Sequence, residues 1–138
     1  MIKIKIKNNL EELNKLTNIV EEFCDKNDIG IKITFQMNLI LEEIITNIVS
    51  YGYNDKSSHD IMVKLDLKDD LLICVVSDDG ISFDPLIVEK PKLDEGVEKR
   101  KIGGLGIHFV KSMINDISYK RNDGKNILKF TIKINREV

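Results

Sequence analysis

At 138 residues, with 42% hydrophobic and 32% charged residues and no tryptophan, the chain has the size and composition of a single soluble globular domain. A formal charge of −2 gives no electrostatic case for nucleic acid or an anionic membrane, and no apolar run approaches the ~18 residues of a bilayer span. Cys24 and Cys74 form no CxxC or Cys/His cluster, and His59 and His108 are the only histidines, so buried free thiols in a cytoplasmic protein are expected and a multi-histidine metal site is not.

Ile2, Ile4 and Ile6 alternate with Lys3, Lys5 and Lys7, the pattern of a half-buried strand with a basic outer face, suited to a sheet edge. Asn8 or Asn9 caps a first helix whose apolar stripe is Leu10, Leu13, Leu16 or Thr17, Val20 and Phe23. Turn residues between Lys26 and Gly30 end it. A second helix runs from about Ile33 or Thr34 to Gly52, with Met37, Leu41, Ile44, Ile45 and Ile48 as its stripe. A polar loop, Asn54 to Ser58, follows. Ile61 to Leu67 and Leu71 to Ser77 form an antiparallel hairpin, and the second strand, apolar at nearly every position, reads as central and well covered.

Ile81 to Ile102 shows no clear period and holds both prolines and a charged run, Glu95 to Lys101. Connections of this length inside a compact domain are often lids or binding loops. Gly103-Gly104-Leu105-Gly106 opens a third helix with Ile107, Val110, Met113 and Ile114 on one side. Ile117 to Lys120 and Ile127 to Ile134 then close the chain as a hairpin around Asn122-Asp123-Gly124. The expected fold is α+β: a two-layer sandwich whose mostly antiparallel sheet is covered on one face by about three helices.

Three places in this frame carry chemistry. On the second helix Glu43 and Asn47 are one turn apart at the rim of the apolar stripe, with Glu42 and Thr46 on the solvent side. Polar groups at the rim of a core are costly unless something binds them, although a solvated boundary pair would look the same in isolation. Asn47 can offer an amide oxygen to Mg²⁺, which takes few protein ligands and fills its octahedron with phosphates and water. Glu43 is placed to orient or deprotonate a nucleophile attacking a γ-phosphoryl group.

Asp78-x-Gly80 ends the central strand, with Asp78 on the face of Leu72, Cys74 and Val76. There its carboxylate suits the exocyclic amine of adenine, whereas guanine would present a carbonyl. Gly80 lets the backbone turn and a flat ring approach. DxG after a strand is also the signature of an ordinary turn. Three glycines within Gly103 to Gly106 let backbone N–H groups converge on a polyphosphate at a helix N-terminus, or else make a simple hinge. The pattern is neither a Walker A sequence nor a dinucleotide fingerprint.

Taken together, Glu43-x-x-x-Asn47, Asp78-x-Gly80-x-x-Phe83-Asp84-Pro85 and Gly103-Gly104-Leu105-Gly106-Ile107-His108 resemble the N, G1 and G2 boxes of the GHKL ATPase superfamily. DDGISFDP and GGLGIHFVK resemble, more narrowly, the anti-sigma-factor serine/threonine kinases of bacterial partner-switching systems. The resemblance implies one ATP-binding domain of the Bergerat type over residues 1–138, with an ATP lid at about 81–102. It implies ATP and Mg²⁺ as cofactors, Glu43 as catalytic base and Asn47 as Mg²⁺ ligand. Asp78 would read adenine, and Gly80, Phe83, Gly103, Gly104, Leu105, Gly106 and Ile107 would line the nucleotide. A homodimer is also implied, binding a sigma factor and phosphorylating a STAS-domain antagonist, with no nucleic acid or membrane partner.

The chain departs from that pattern at Tyr51, where many relatives have histidine, and at Asn126, where threonine commonly follows the last turn's glycine. Ile102 stands where an arginine is frequent, with Arg100 and Lys101 beside it and able to reach the phosphates. The alternative function is a nucleotide-gated binding protein with little or no kinase activity. A histidine-kinase catalytic fragment fits less well, since the sequence shows no helical hairpin bearing a phospho-acceptor histidine.

Overall fold

The computed structural model describes residues 1–55, 57–82, 84 and 113–134. Its elements are β1 (Ile2–Lys7), a 3₁₀ turn (Leu10–Glu12), α1 (Leu13–Lys26), α2 (Ile31–Tyr51), β2 (Asp60–Lys68), β3 (Leu71–Asp78), β4 (Asp116–Asn122) and β5 (Lys125–Lys133). The strands form one five-stranded sheet in the order β1-β2-β3-β5-β4, antiparallel at every pairing. The α+β expectation holds, with α1 and α2 supplying the helical layer among the described residues. The expected lid at 81–102 lies almost wholly outside them, and so does most of the expected third helix. Met113 and Ile114, the last apolar residues of that expected stripe, are half buried against the core.

Alternation builds the sheet's inner face. Ile4 pairs with Val63, Val63 with Val76, Val76 with Leu128, and Leu128 with Tyr119, so one row of side chains crosses all five strands. The next row is Ile2, Leu65, Cys74, Phe130 and Ile117. Against these rows α1 buries Leu16, Val20 and Phe23, and α2 buries Met37, Ile40, Leu41, Ile44 and Ile45. Each such side chain contributes about 1.5–3 kcal/mol on burial. That burial, more than helical propensity, holds a helix containing this many β-branched residues in place. Cys24 and Cys74 are buried free thiols, and burial pushes both thiol pKa values up.

Four details differ from the sequence reading. Leu10 is half exposed, because Asn9 Oδ1 accepts from Glu12 N and caps a 3₁₀ turn that rotates Leu10 off the α1 stripe. Helix α2 begins at Ile31, capped by Gly30, earlier than its apolar period suggests; Ile31 is 89% exposed and so carries no periodic signal. Strand β3 alternates strictly in burial, leaving Leu71, Ile73 and Val75 half buried, because among the described residues both helices lie on the other face. Thr46, expected on the solvent side of α2, is half buried. The basic strand β1 does lie at the edge, with Lys3, Lys5 and Lys7 exposed. Among the described residues no helix is long and apolar enough to cross a membrane.

One backbone contact joins the layers where they converge on the site. Ile81 N donates to Gly52 O at 2.7 Å, tying the exit of β3 to the C-terminal cap of α2. A Cβ on Gly80 would lie 2.3 Å from that same Gly52 oxygen and 2.9 Å from Asp78 Oδ1. The nearer neighbour is backbone, and the Asp78 oxygen is held by hydrogen bonds from Gly80 N and Asn126 Nδ2. Gly80→Ala is therefore expected to destabilise the fold by about 2–3 kcal/mol, by overpacking against backbone, as read from a urea midpoint. An unchanged midpoint would show that the two segments are not packed this closely.

Candidate functional site

The α2 part of the site is a pair. Asn47 is only 5% exposed, and its Nδ2 donates to Oε1 of the half-buried Glu43 at 3.3 Å. With its NH₂ group turned to the carboxylate, the amide's Oδ1 is the oxygen left to meet a cation, and no described residue donates to it. Burial raises the Glu43 pKa; the Asn47 hydrogen bond opposes that shift and neighbouring Glu42 adds to it. A half-buried carboxylate with a raised pKa, one turn from a buried amide, has the character of a general base beside a metal ligand.

The β3 part is Asp78, 5% exposed at the end of the inner face. Its Oδ1 accepts from Gly80 N at 2.8 Å and from Asn126 Nδ2 at 3.0 Å. Among the described residues no donor meets Oδ2. Burial pushes the Asp78 pKa up, and the Asn126 and Gly80 hydrogen bonds hold it back. A buried carboxylate with one oxygen fixed and the other open has the donor–acceptor character that an adenine amine requires.

Gly80 acts differently from the sequence reading. Gly124 is the sole described glycine with positive φ, so Gly80 needs no left-handed turn; it is small because Gly52 lies against it. Its carbonyl accepts from Arg121 Nη1 at 2.7 Å, a contact the sequence did not reveal. The structure thus positions Glu43, Asn47, Asp78 and Gly80 on two elements joined at the Gly52–Gly80 contact. Phe83, Arg100, Lys101, Gly103, Gly104, Leu105, Gly106 and Ile107 lie outside the described residues. Among those described, no group of three or more His, Cys, Asp or Glu is arranged to hold a metal, so a cation here would rely on Asn47 and on a ligand's own oxygens.

The model of the histidine kinase-like ATPase domain matches residues 6–132, nearly the whole chain. The chain belongs to the histidine kinase-like ATPase family. Among curated relatives, it is 29% identical over 99 residues to a serine-protein kinase RsbW of Oceanobacillus iheyensis, covering 67% of this chain and 61% of that protein. It is 30% identical over 110 residues to a serine-protein kinase RsbW of Bacillus cereus, covering 73% and 64%. These alignments span about three-fifths of the relatives' length. The solved RsbU and RsbW domains of Rv1364c from Mycobacterium tuberculosis superpose with a TM-score of 0.66 at 12% identity, covering 99% of this chain and 34% of that one. That likeness shows the fold.

For a histidine kinase-like ATPase, ATP is the nucleotide implied for the site. Beside Asp78 this family member carries a charged cluster that sequence reading passed over. His59 stacks on Tyr53 with ring centroids 4.2 Å apart. Its Nε2 faces Asp55 Oδ1 at 2.9 Å and its Nδ1 faces Asp79 Oδ1 at 3.2 Å. A neutral imidazole carries one N–H, so only the imidazolium donates to both carboxylates. The Asp55 hydrogen bond is the main cause of a raised His59 pKa, and Asp79 adds to it. Asp55 itself is pushed down to about 2, first by the Ser57 hydroxyl and then by His59.

Because the folded-state His59 value is raised, its contribution to stability is complete below the unfolded value of ~6.5 and is lost as pH rises through the folded value. The thermal midpoint of wild type relative to His59→Gln is expected to be highest below the unfolded value of ~6.5 and to converge as pH rises through the raised folded-state value. A difference that stays constant over that range would remove the bridging role.

Proposed function

We propose that this chain is an ATP-dependent serine/threonine protein kinase of the anti-sigma-factor type, which binds a sigma factor and phosphorylates a STAS-domain antagonist. The observation that carries the reading is the Glu43–Asn47 pair, a half-buried carboxylate with a raised pKa tied to a buried amide. Similarity to proteins named serine-protein kinase RsbW supports the choice of serine or threonine over histidine as acceptor.

Bound Mg-ATP supplies the phosphoryl group. In this reading Asp78 accepts from the adenine amine, and Asn47 offers its amide oxygen to the Mg²⁺. Glu43 takes the proton from the client hydroxyl, whose oxygen forms the new bond to phosphorus as ADP departs. Residues 1–138 act as one ATP-binding domain with its lid at about 81–102. Gly80, Phe83, Gly103, Gly104, Leu105, Gly106 and Ile107 line the nucleotide, Arg100 and Lys101 meet its phosphates, and the chain works as a homodimer. The lid, ordered by the γ-phosphate, would present different surfaces in the ATP and ADP states.

A second reading has a specific observation in its favour. Glu43 Oε1 already accepts from Asn47, so Glu43 could serve to aim the Asn47 oxygen at the cation, as in a nucleotide-gated binding protein. The two readings separate in host lysate supplied with γ-labelled Mg-ATP. Wild type is expected to place acid-stable label on a small protein, and Glu43→Ala to lose transfer by about 100-fold or more while binding ATP within about two-fold. Full transfer by Glu43→Ala removes the base role. No label from a wild type that binds ATP selects the binding protein.

Asp78→Asn retains the oxygen that Gly80 and Asn126 use, so the fold is expected to survive with a stability change under about 1 kcal/mol. Its new NH₂ group would face the adenine amine donor to donor. ATP affinity by calorimetry is expected to fall about 100-fold. Unchanged affinity would take Asp78 out of the adenine role.

A further inference from the structure

Asn126 lies opposite Asp78 in the β3–β5 register and opposite Arg121 in the β4–β5 register, and it is 6% exposed. Its amide orientation is fully determined. Nδ2 donates to Asp78 Oδ1 at 3.0 Å and to Ile81 O at 2.7 Å, while Oδ1 accepts from the Tyr119 hydroxyl. A flipped amide would set its oxygen against two acceptors and leave Tyr119 facing an NH₂ group. The amide therefore stays a donor to Asp78.

We propose that Asn126, with its amide oriented by Tyr119, is a positioning residue that keeps Asp78 a pure hydrogen-bond acceptor, and thereby sets the preference for adenine over guanine nucleotides. The proposal rests on Asp78 as the adenine reader and adds what enforces that choice. Burial drives Asp78 toward its neutral form, and the Asn126 hydrogen bond is the largest influence against it, followed by Gly80 N–H. Asp79, the next residue, adds to the upward push, and the Arg121 guanidinium on β4 opposes it. Tyr53, from the loop after α2, has a raised pKa and stays neutral, and the Tyr119 hydroxyl donates to Asn126 Oδ1.

A protonated Asp78 would carry an O–H donor, acceptable to a guanine carbonyl and unable to accept from adenine at the same oxygen. Adenine preference is thus expected to decay as pH falls through the Asp78 pKa. Removing the Asn126 donor raises that pKa and moves the decay to higher pH.

The test has two readouts on the full chain. Carboxyl-carbon NMR follows the Asp78 titration without nucleotide, and calorimetry gives the ATP-to-GTP affinity ratio, both from about pH 5 to 8. In Asn126→Leu the Asp78 midpoint is expected to rise and the ratio to drop about tenfold at pH values between the wild-type and variant midpoints. Tyr119→Phe is expected to shift both in the same direction by less, and Asn126→Thr, which restores one hydroxyl donor, to recover most of the loss. Unchanged midpoints and ratios in Asn126→Leu and Tyr119→Phe overturn the proposal; if Asn126→Leu does not fold, Tyr119→Phe decides by the same readouts. An Asp78→Asn protein that still prefers ATP removes the adenine reading and this proposal with it. Loss of ATP in Asp78→Asn alongside unchanged midpoints in the other variants removes the roles of Asn126 and Tyr119 alone.

Discussion

Two glycines from different layers meet backbone to backbone where α2 ends and β3 exits, and the rest of the site depends on that approach. Gly52 caps the helix, and a Cβ there would lie 2.5 Å from Ile48 O; a Cβ on Gly80 would lie 2.3 Å from Gly52 O. The Ile81 N–H then closes on the Gly52 carbonyl at 2.7 Å. Asn47 precedes this contact on α2 by about 7–8 Å of helix rise, and Asp78 precedes it on β3 by two residues. A fixed junction at one end of each element makes the helix pair and the strand carboxylate parts of one rigid arrangement. Sites on such elements hold geometry better than sites on loops.

The carboxylates on either side of that junction are held against their own burial. Asp78 sits at the end of a face that otherwise presents Leu72, Cys74 and Val76, and an apolar side chain there would serve the core better. Helix α2 places the buried Asn47 where its stripe could have continued with another isoleucine. Both are buried polar positions, and under the proposed function binding and not packing accounts for the residue found there. Arg121 on Gly80 O and Ile81 on Gly52 O restrain the backbone beside Asp78, so the cost is met by a local hydrogen-bond network and not by movement of the sheet.

What could be read from the sequence followed from periodicity, and what could not depended on partners distant in the chain. Alternation in β1, β2 and β3 gave the sheet's inner face and the buried position of Asp78, and the period of α2 put Glu43 and Asn47 at its rim. Asn126 stood out only as a departure from a family pattern, because nothing in NDGKN states that its amide will lie across from Asp78 on another strand. Gly80 was legible as a glycine but not in its reason: the sequence suggests a turn or room for a ring, while the structure shows a neighbouring helix cap. The start of α2 was misplaced because Ile31 points into solvent. Leu10 was misplaced because a 3₁₀ turn has a different period from the helix it precedes.

The same device serves both halves of the site with opposite consequences. In each, an asparagine donates its NH₂ group to a carboxylate whose pKa burial raises, and opposes that rise: Asn47 to Glu43, and Asn126 to Asp78. At Asn126 the amide oxygen accepts from Tyr119, which turns the NH₂ group toward Asp78 and Ile81 O. At Asn47 no described donor meets the amide oxygen, and the hydrogen bond to Glu43 is longer, 3.3 Å against 3.0 Å. Under the proposed function, the first arrangement suits a carboxylate held as an acceptor for a base. Under the same proposal, the second suits a base that takes a proton, beside an oxygen left for a cation. Burial supplies the upward pKa pressure in both, and the two sites differ in how completely one amide contact opposes it.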